Sequence, residues 1–141
     1  MFVLCRRTVT EAKALPYNKE FEAHKRAVDA GYDEAFLVRE LLVPEGAYSN
    51  IFWVKKGIVY TASENVLPGI TRQKVLEALV RLHIPVQFKS ATKSELQSAE
   101  EVFITKATTG ISWVAEVEKK QIGKGIIGKR TAQIVRFLTS K

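Results

Sequence analysis

Val43-Pro44-Glu45-Gly46-Ala47-Tyr48-Ser49-Asn50-Ile51-Phe52 sets one carboxyl between a proline and a glycine, then runs into residues that favour strands. Further along comes Leu67-Pro68-Gly69-Ile70-Thr71-Arg72, a tight turn that opens straight into helical periodicity. Between the two, Asn50 to Lys55 and Ile58 to Ala62 read as the arms of a hairpin about Lys56-Gly57. An acid is therefore expected on a loop ahead of a hairpin. A helix N-terminus follows it, where unpaired N–H groups and the helix dipole favour an anion.

Working outward, Phe2 to Thr10 alternates as a strand, Lys13 follows it, and Pro16 stops any helix across that point. Asn18 is a good N-cap for a helix from Lys19 to Ala30, with Phe21, Ala23, Ala27 and Val28 as its apolar stripe and Gly31 as its end. Glu34 to Val38 and Leu41 to Val43 read as short strands. Thr71 to His83 is the clearest helix: Val75, Leu76, Leu79, Val80 and Leu82 form the apolar face, with Arg72, Lys74, Glu77 and Arg81 elsewhere. Ile84 to Lys89 is a strand that Pro85 assigns to an edge or a strand start. Thr92-Lys93-Ser94-Glu95 is a capping box opening a short helix to about Ala99. Glu101 to Thr105 and Ile111 to Glu118 are strands, and Lys129 to Thr139 is a final helix with Ala132, Val135 and Leu138 on one side. The pattern is one α+β unit with many short strands.

Composition agrees with a single globular domain. The 141 residues are 46% hydrophobic and 26% charged, and no apolar stretch approaches the length of a membrane span. The N-terminal apolar run before Arg6-Arg7 is too short for a signal peptide. A single cysteine, Cys5, excludes an internal disulfide and makes a reducing cytoplasm the default setting. The net charge of +7 would suit nucleic acid or a phosphorylated cofactor, but no block of five or six like charges exists to build a nucleic-acid face.

Three pieces carry chemistry. Lys13, at a strand end before a proline, could form a Schiff base with an aldehyde if its pKa were lowered, although alone it reads equally as a solvated lysine. Glu45 is either a turn carboxylate or the acceptor for a protonated ring nitrogen. Gly69-Ile70-Thr71 is either a plain helix start or an anion site, with the Thr71 hydroxyl as a further donor. Thr105, Thr108 and Thr109, on a small-residue turn after a strand, could add donors to a phosphate or to a substrate carboxylate, and on their own are ordinary turn residues.

Three separated stretches, Glu45 to Phe52, Val59-Tyr60-Thr61 and Leu67 to Arg72, together resemble the signature of class IV aminotransferases. These are the fold-type IV pyridoxal-phosphate enzymes: branched-chain aminotransferases, D-amino-acid aminotransferases and aminodeoxychorismate lyase. Gly31-Tyr32-Asp33-Glu34-Ala35, Glu101 to Thr105 and Ile122 to Gly128 resemble further family segments in the same order. The resemblance implies a single domain over residues 1–141, α+β, of many short and mostly antiparallel strands in a pseudo-barrel with about four helices packed outside. It implies pyridoxal 5'-phosphate as cofactor, with Lys13 as the Schiff-base lysine and Glu45 as the pyridine-nitrogen partner. Gly69, Ile70 and Thr71 then fall at the phosphate-binding helix start, and Thr105, Lys106, Ala107 and Thr108 on the turn that contacts phosphate. No metal is implied.

Departures from the family pattern accompany the match. Tyr17-Asn18 stand in reverse of the usual order after the lysine, Lys106 and Ala107 replace small Gly, Ser or Thr residues, and Trp113 stands where proline is common. The resemblance covers the cofactor-bearing C-terminal half, so the family's N-terminal domain is absent from this sequence. It implies amino-acid and 2-oxo-acid substrates, with a homodimer or pairing with the N-terminal half, and weak cofactor binding and low turnover in isolation. The alternatives are lyase chemistry resembling aminodeoxychorismate lyase, and a degenerate, non-catalytic basic binding module.

Overall fold

The computed structural model describes residues 7–13, 19–62, 69–107 and 109–140, with side chains described from Phe21 onward except that of Arg39. The expectations placed on Pro16, Tyr17, Asn18, Leu67, Pro68 and Thr108 lie outside these residues, as does the side chain of Lys13. Strands β1 (Arg7–Lys13), β2 (Glu34–Arg39), β3 (Leu42–Gly46), β4 (Asn50–Lys55) and β5 (Ile58–Thr61) are followed by β6 (Val86–Phe88), β7 (Glu101–Lys106), β8 (Gly110–Val117) and β9 (Lys120–Gln121). The helices are α1 (Lys19–Asp29), α2 (Ile70–Arg81), α3 (Lys93–Gln97) and α4 (Lys129–Thr139).

The hairpin of β4 and β5 turns on Lys56 and Gly57, both at positive φ, the geometry whose twist suits a two-residue loop. From β4 the sheet runs through β7, β8, β1 and β2 to β3, and β3 also pairs with β4, so these six strands close into a ring. Most pairings are antiparallel; β1 runs parallel to both β2 and β8, and β6 runs parallel to β5 at the open edge. The class expected from sequence, α+β with a pseudo-barrel, is the one observed.

Alternation along each strand separates two cores. Phe36, Val43, Ile51, Trp53, Val102, Ile104 and Val114 come from five different strands and meet in one cluster, which only the inward face of a closed ring allows. Leu96 of α3 joins that cluster. The residues between them, Phe52, Val54, Phe103 and Ile111, face outward and pack under Val75 and Leu79 of α2 and Ile134 of α4. Ala23 and Ala27 of α1 cover Ala35 and Leu37 in a smaller third cluster.

Several local expectations shift. β3 extends to Gly46, which puts Glu45 on a strand rather than a loop; the register slips between Leu37 and Arg39, opposite Pro44, where a bulge tolerates a residue without an N–H. In α1, Phe21 and Val28 are exposed, because only the small Ala23 and Ala27 fit between helix and sheet. Val80 is exposed and Arg72 is buried, the reverse of their sequence assignment. β9 has no counterpart among the expected strands: its turn uses Glu118 and Lys119 at positive φ, without the glycine that would signal it.

Candidate functional site

Strand pairing does the assembling. Glu45 of β3 pairs with Asn50 of β4, and Asn50 pairs with Thr105 of β7, so three polar residues far apart in sequence stand in one row across three strands. All are buried, at 8%, 6% and 2% exposure. Asn50 and Thr105 each precede or follow an inward residue (Ile51, Ile104), which places the row on the outer face of the ring. The turn from β3 to β4 is closed by the Gly46 N–H donating to the Ser49 carbonyl at 2.9 Å. A β-carbon on Gly46 would collide with Ser49 Oγ and crowd Glu34, so this turn needs glycine.

The tip of α2 lies against that row. Thr71 Oγ1 donates to the Lys106 carbonyl at 3.1 Å, and a β-carbon on Gly69 would lie 2.7 Å from Asn50 Oδ1. Gly69 is the N-cap and offers no side-chain acceptor, and the first turn carries no acid. The partial positive charge of the helix end is therefore left uncompensated by its own residues.

Row and helix tip enclose a cavity of about 470 Å³ whose wall also includes Phe21, Tyr48 and Ser49. Beneath it sits Glu34, fully buried. Its Oε1 accepts from the Ala35 N–H at 2.9 Å and stands 3.0 Å from His24 Nδ1. Its Oε2 accepts from the Tyr48 N–H and from Ser49 Oγ, each at 3.1 Å, with Lys106 Nζ at 3.7 Å. Thr105 Oγ1 and Arg72 Nε are buried without a hydrogen-bond partner. Desolvation holds the Arg72 guanidinium below its ordinary pKa.

Lys13 ends β1 opposite Val38, the neighbour of Leu37, which pairs with Glu45. β2 alone thus separates the Lys13 and Glu45 backbones, two strand spacings or roughly 10 Å. Of the other residues expected at the site, Glu45, Gly69, Thr71, Thr105, Lys106 and Ala107 all line the cavity. Ile70 does not, and its side chain is exposed. Among the described residues no group of three or more His, Cys, Asp or Glu could hold a metal ion, and no helix is long and apolar enough to cross a membrane.

The model of the family described as amino-transferase class IV matches residues 5–117. The chain belongs to the class IV aminotransferase family. A protein described as a probable branched-chain-amino-acid aminotransferase from Aquifex aeolicus is 39% identical over 119 residues, covering 82% of this chain and 38% of that protein. The D-alanine aminotransferase of Bacillus licheniformis is 37% identical over 112 residues, covering 78% of this chain and 40% of that one. A T.th. branched-chain amino acid aminotransferase, solved in complex with N-(5'-phosphopyridoxyl)-L-glutamate, superposes with a TM-score of 0.87 at 30% identity, over 95% of this chain and 50% of that chain. The chain thus spans about two fifths of the curated relatives' length.

Among the lining residues that sequence reading of this class IV aminotransferase chain misses are Asn50 and Arg72. Asn50 lies within the Val43 to Phe52 stretch, and hairpin parity could have placed it beside Glu45. Arg72 follows Thr71 directly, but its charge argues for solvent, whereas in the first turn of α2 it lies buried with Nη2 donating to the Ala62 carbonyl.

Proposed function

We propose that this chain is the cofactor-bearing part of a pyridoxal-phosphate-dependent aminotransferase that moves an amino group between an amino acid and a 2-oxo acid. The observation that carries the reading is the convergence, on one cavity, of a buried acid (Glu45), an uncapped helix N-terminus (Gly69 to Thr71) and a buried hydroxyl without a partner (Thr105 Oγ1). A cavity of about 470 Å³ is of the size that small cofactors occupy. The residues present fit the group: donors without partners at one end, a carboxyl at the other.

When bound, pyridoxal phosphate supplies an electron sink for the α-carbon of an amino acid. Glu45 holds a proton on the ring nitrogen, which keeps that sink strong. Lys13 Nζ would supply the amine that holds the cofactor and the base that takes a proton from the substrate's α-carbon and returns one. The Ile70 and Thr71 amides, with Thr105, Lys106, Ala107 and Thr108, hold the phosphate. Phe21 and Tyr48, exposed at 57% and 49% on the cavity wall, suit a second protein surface closing the site, either another copy or an N-terminal half. The reading includes a cytoplasmic setting, which the single cysteine supports.

The test is absorbance on adding pyridoxal phosphate. A visible band that disappears in Lys13→Ala, with borohydride fixing the cofactor's mass onto Lys13, is the expected result. Absence of that band, with salt-sensitive binding of DNA or RNA, would replace this reading with a basic binding module.

A further inference from the structure

Neither Glu34 nor His24 is among the described residues that line the cavity, yet the Glu34 carboxyl reaches elements that supply its wall. From α1, which brings Phe21 to the cavity, His24 Nδ1 stands 3.0 Å from Oε1. From the turn between β3 and β4, the Tyr48 N–H and Ser49 Oγ donate to Oε2, each at 3.1 Å. From the end of β7, Lys106 Nζ lies 3.7 Å from the same oxygen. The His24 and Tyr48 rings close the cluster on itself, meeting edge-on at 64° with centroids 5.2 Å apart. So close an approach to the turn depends on glycine at position 46, where a β-carbon would lie 3.2 Å from Oε2.

Apolar packing leaves these walls loosely determined. Among its described side chains α1 buries Ala23 and Ala27, and a footing of methyl groups resists sliding weakly. β3 and β4 share the one laddered pair of Glu45 with Asn50. Directional bonds to a single carboxyl supply the missing restraint. Replacing a buried charged cluster with packed apolar side chains is often no less stable, so stability does not account for a carboxyl here, whereas fixing geometry does.

We propose that Glu34 is a positioning residue of this cavity: through Tyr48 and Ser49 it sets where the β3–β4 turn holds Glu45, and through His24 it sets where α1 holds Phe21. The inference rests on the cofactor reading above and adds a group that orients a bound pyridine ring from behind the wall. Because one carboxyl holds both walls, loosening one loosens the other.

The experiment titrates the 141-residue chain, Glu34→Gln, His24→Gln and the double variant with pyridoxal phosphate and with pyridoxal. Absorbance reads affinity, and induced circular dichroism at saturation reads the tilt of the bound ring. Glu34→Gln should weaken both ligands by about tenfold and His24→Gln by about threefold. The double variant should bind within about twofold of Glu34→Gln alone, since His24 acts through Glu34. Dichroism per bound ring should change in both single variants.

Unchanged affinity, or unchanged dichroism, in a folded Glu34→Gln overturns the proposal. So do losses that multiply in the double variant. A loss confined to pyridoxal phosphate overturns it too, because it would trace to the charge of Lys106. Should Glu34→Gln fail to fold, His24→Gln and Ser49→Ala decide: each must alter affinity and dichroism, and their combined loss must fall short of the product. Unchanged dichroism in either overturns the proposal. The two readings fail separately. A Lys13-dependent band that Glu34→Gln leaves unaltered removes this inference alone. Without that band, amide exchange of the ligand-free chain decides: in Glu34→Gln residues 46–50 and α1 should exchange faster together, beyond any change in the rest of the sheet. A joint rise then removes the cofactor reading alone, and a rise in only one of them removes both.

Discussion

Replacing Glu34 with glutamine keeps the side chain's shape and changes only which atoms can accept. Four donors converge on the buried carboxyl: the Ala35 N–H and His24 on one oxygen, the Tyr48 N–H and Ser49 Oγ on the other. An amide has one oxygen, so its NH2 must face one of these donor pairs whichever way it is turned. Each buried donor left unpaired costs about 1–3 kcal/mol. His24, with a 31% exposed side chain, can turn to water, which favours directing the NH2 toward that pair and leaves the Ala35 N–H as the main casualty. Lys106 Nζ, 3.7 Å from Oε2, loses its counter-charge in either orientation. The sum is about 3 kcal/mol, in line with breaking one member of a buried charged network. In urea, with a slope of about 2 kcal/mol/M, the midpoint should fall by roughly 1.5 M at unchanged slope. In a thermal scan the Tm should fall by about 10 °C. His24→Gln, which removes only the half-exposed partner, should cost about 1 kcal/mol or less. A midpoint shift in Glu34→Gln no larger than that in His24→Gln would refute the convergence argument.

Other perturbations act on single contacts. Glu101 caps α4 from a neighbouring strand, accepting from the Arg130 N–H at 2.9 Å, the Thr131 N–H at 2.8 Å and Thr131 Oγ1 at 2.7 Å; Glu101→Ala should cost about 3 kcal/mol and speed amide exchange in the first turn of α4. Thr92→Ala breaks the capping box of α3 and should cost about 1 kcal/mol in urea unfolding. At the same box, the hydrogen bond from Lys89, then that from the Thr92 N–H, hold the Glu95 carboxyl below its usual value near 4.5. A depressed carboxyl stabilises the fold fully above that value and loses its contribution as pH falls through the lower, folded one; a Glu95→Gln variant should therefore differ from the parent at neutral pH and converge with it in acid. Gly69→Ala places a β-carbon 2.7 Å from Asn50 Oδ1, so the tip of α2 must shift; phosphate affinity should drop by about tenfold while stability falls by about 1 kcal/mol.

What was legible in the sequence was whatever local rules decide. The Lys56-Gly57 hairpin, the Thr92 capping box and the bounds of α4 follow from turn chemistry and periodicity within a dozen residues, and each appears where it was expected. The row of Glu45, Asn50 and Thr105 was legible only in part, because cross-strand register depends on partners about fifty residues away. Arg72 and Phe21 were misplaced for one shared reason: residue type predicts burial on average, whereas a site inverts the average by burying charge and exposing aromatic surface. The family resemblance filled that gap for Glu45, Gly69 and Thr105, whose order and spacing in the motif encode the register that local physics leaves open.

The site's position follows from how the ring closes. β3 and β4 are joined by a turn, yet among the described residues their only laddered pair is Glu45 with Asn50, while β4 and β7 share five. The ring is thus weakest at its seam, and the seam is where the cavity lies. That placement has a physical logic. A fully laddered pair would spend its backbone groups on itself and pack its outer face under a helix, as β4 and β5 do beneath α2. At a one-pair seam the strands splay, and the outer face stays open for a helix tip to approach side-on. On the proposed reading Glu45 and Asn50 would serve closure and chemistry together: the pair that completes the ring is the one the tip of α2 approaches. Because Gly69 abuts Asn50 and Thr71 donates to the Lys106 carbonyl, a shift of the seam carries the tip of α2 with it.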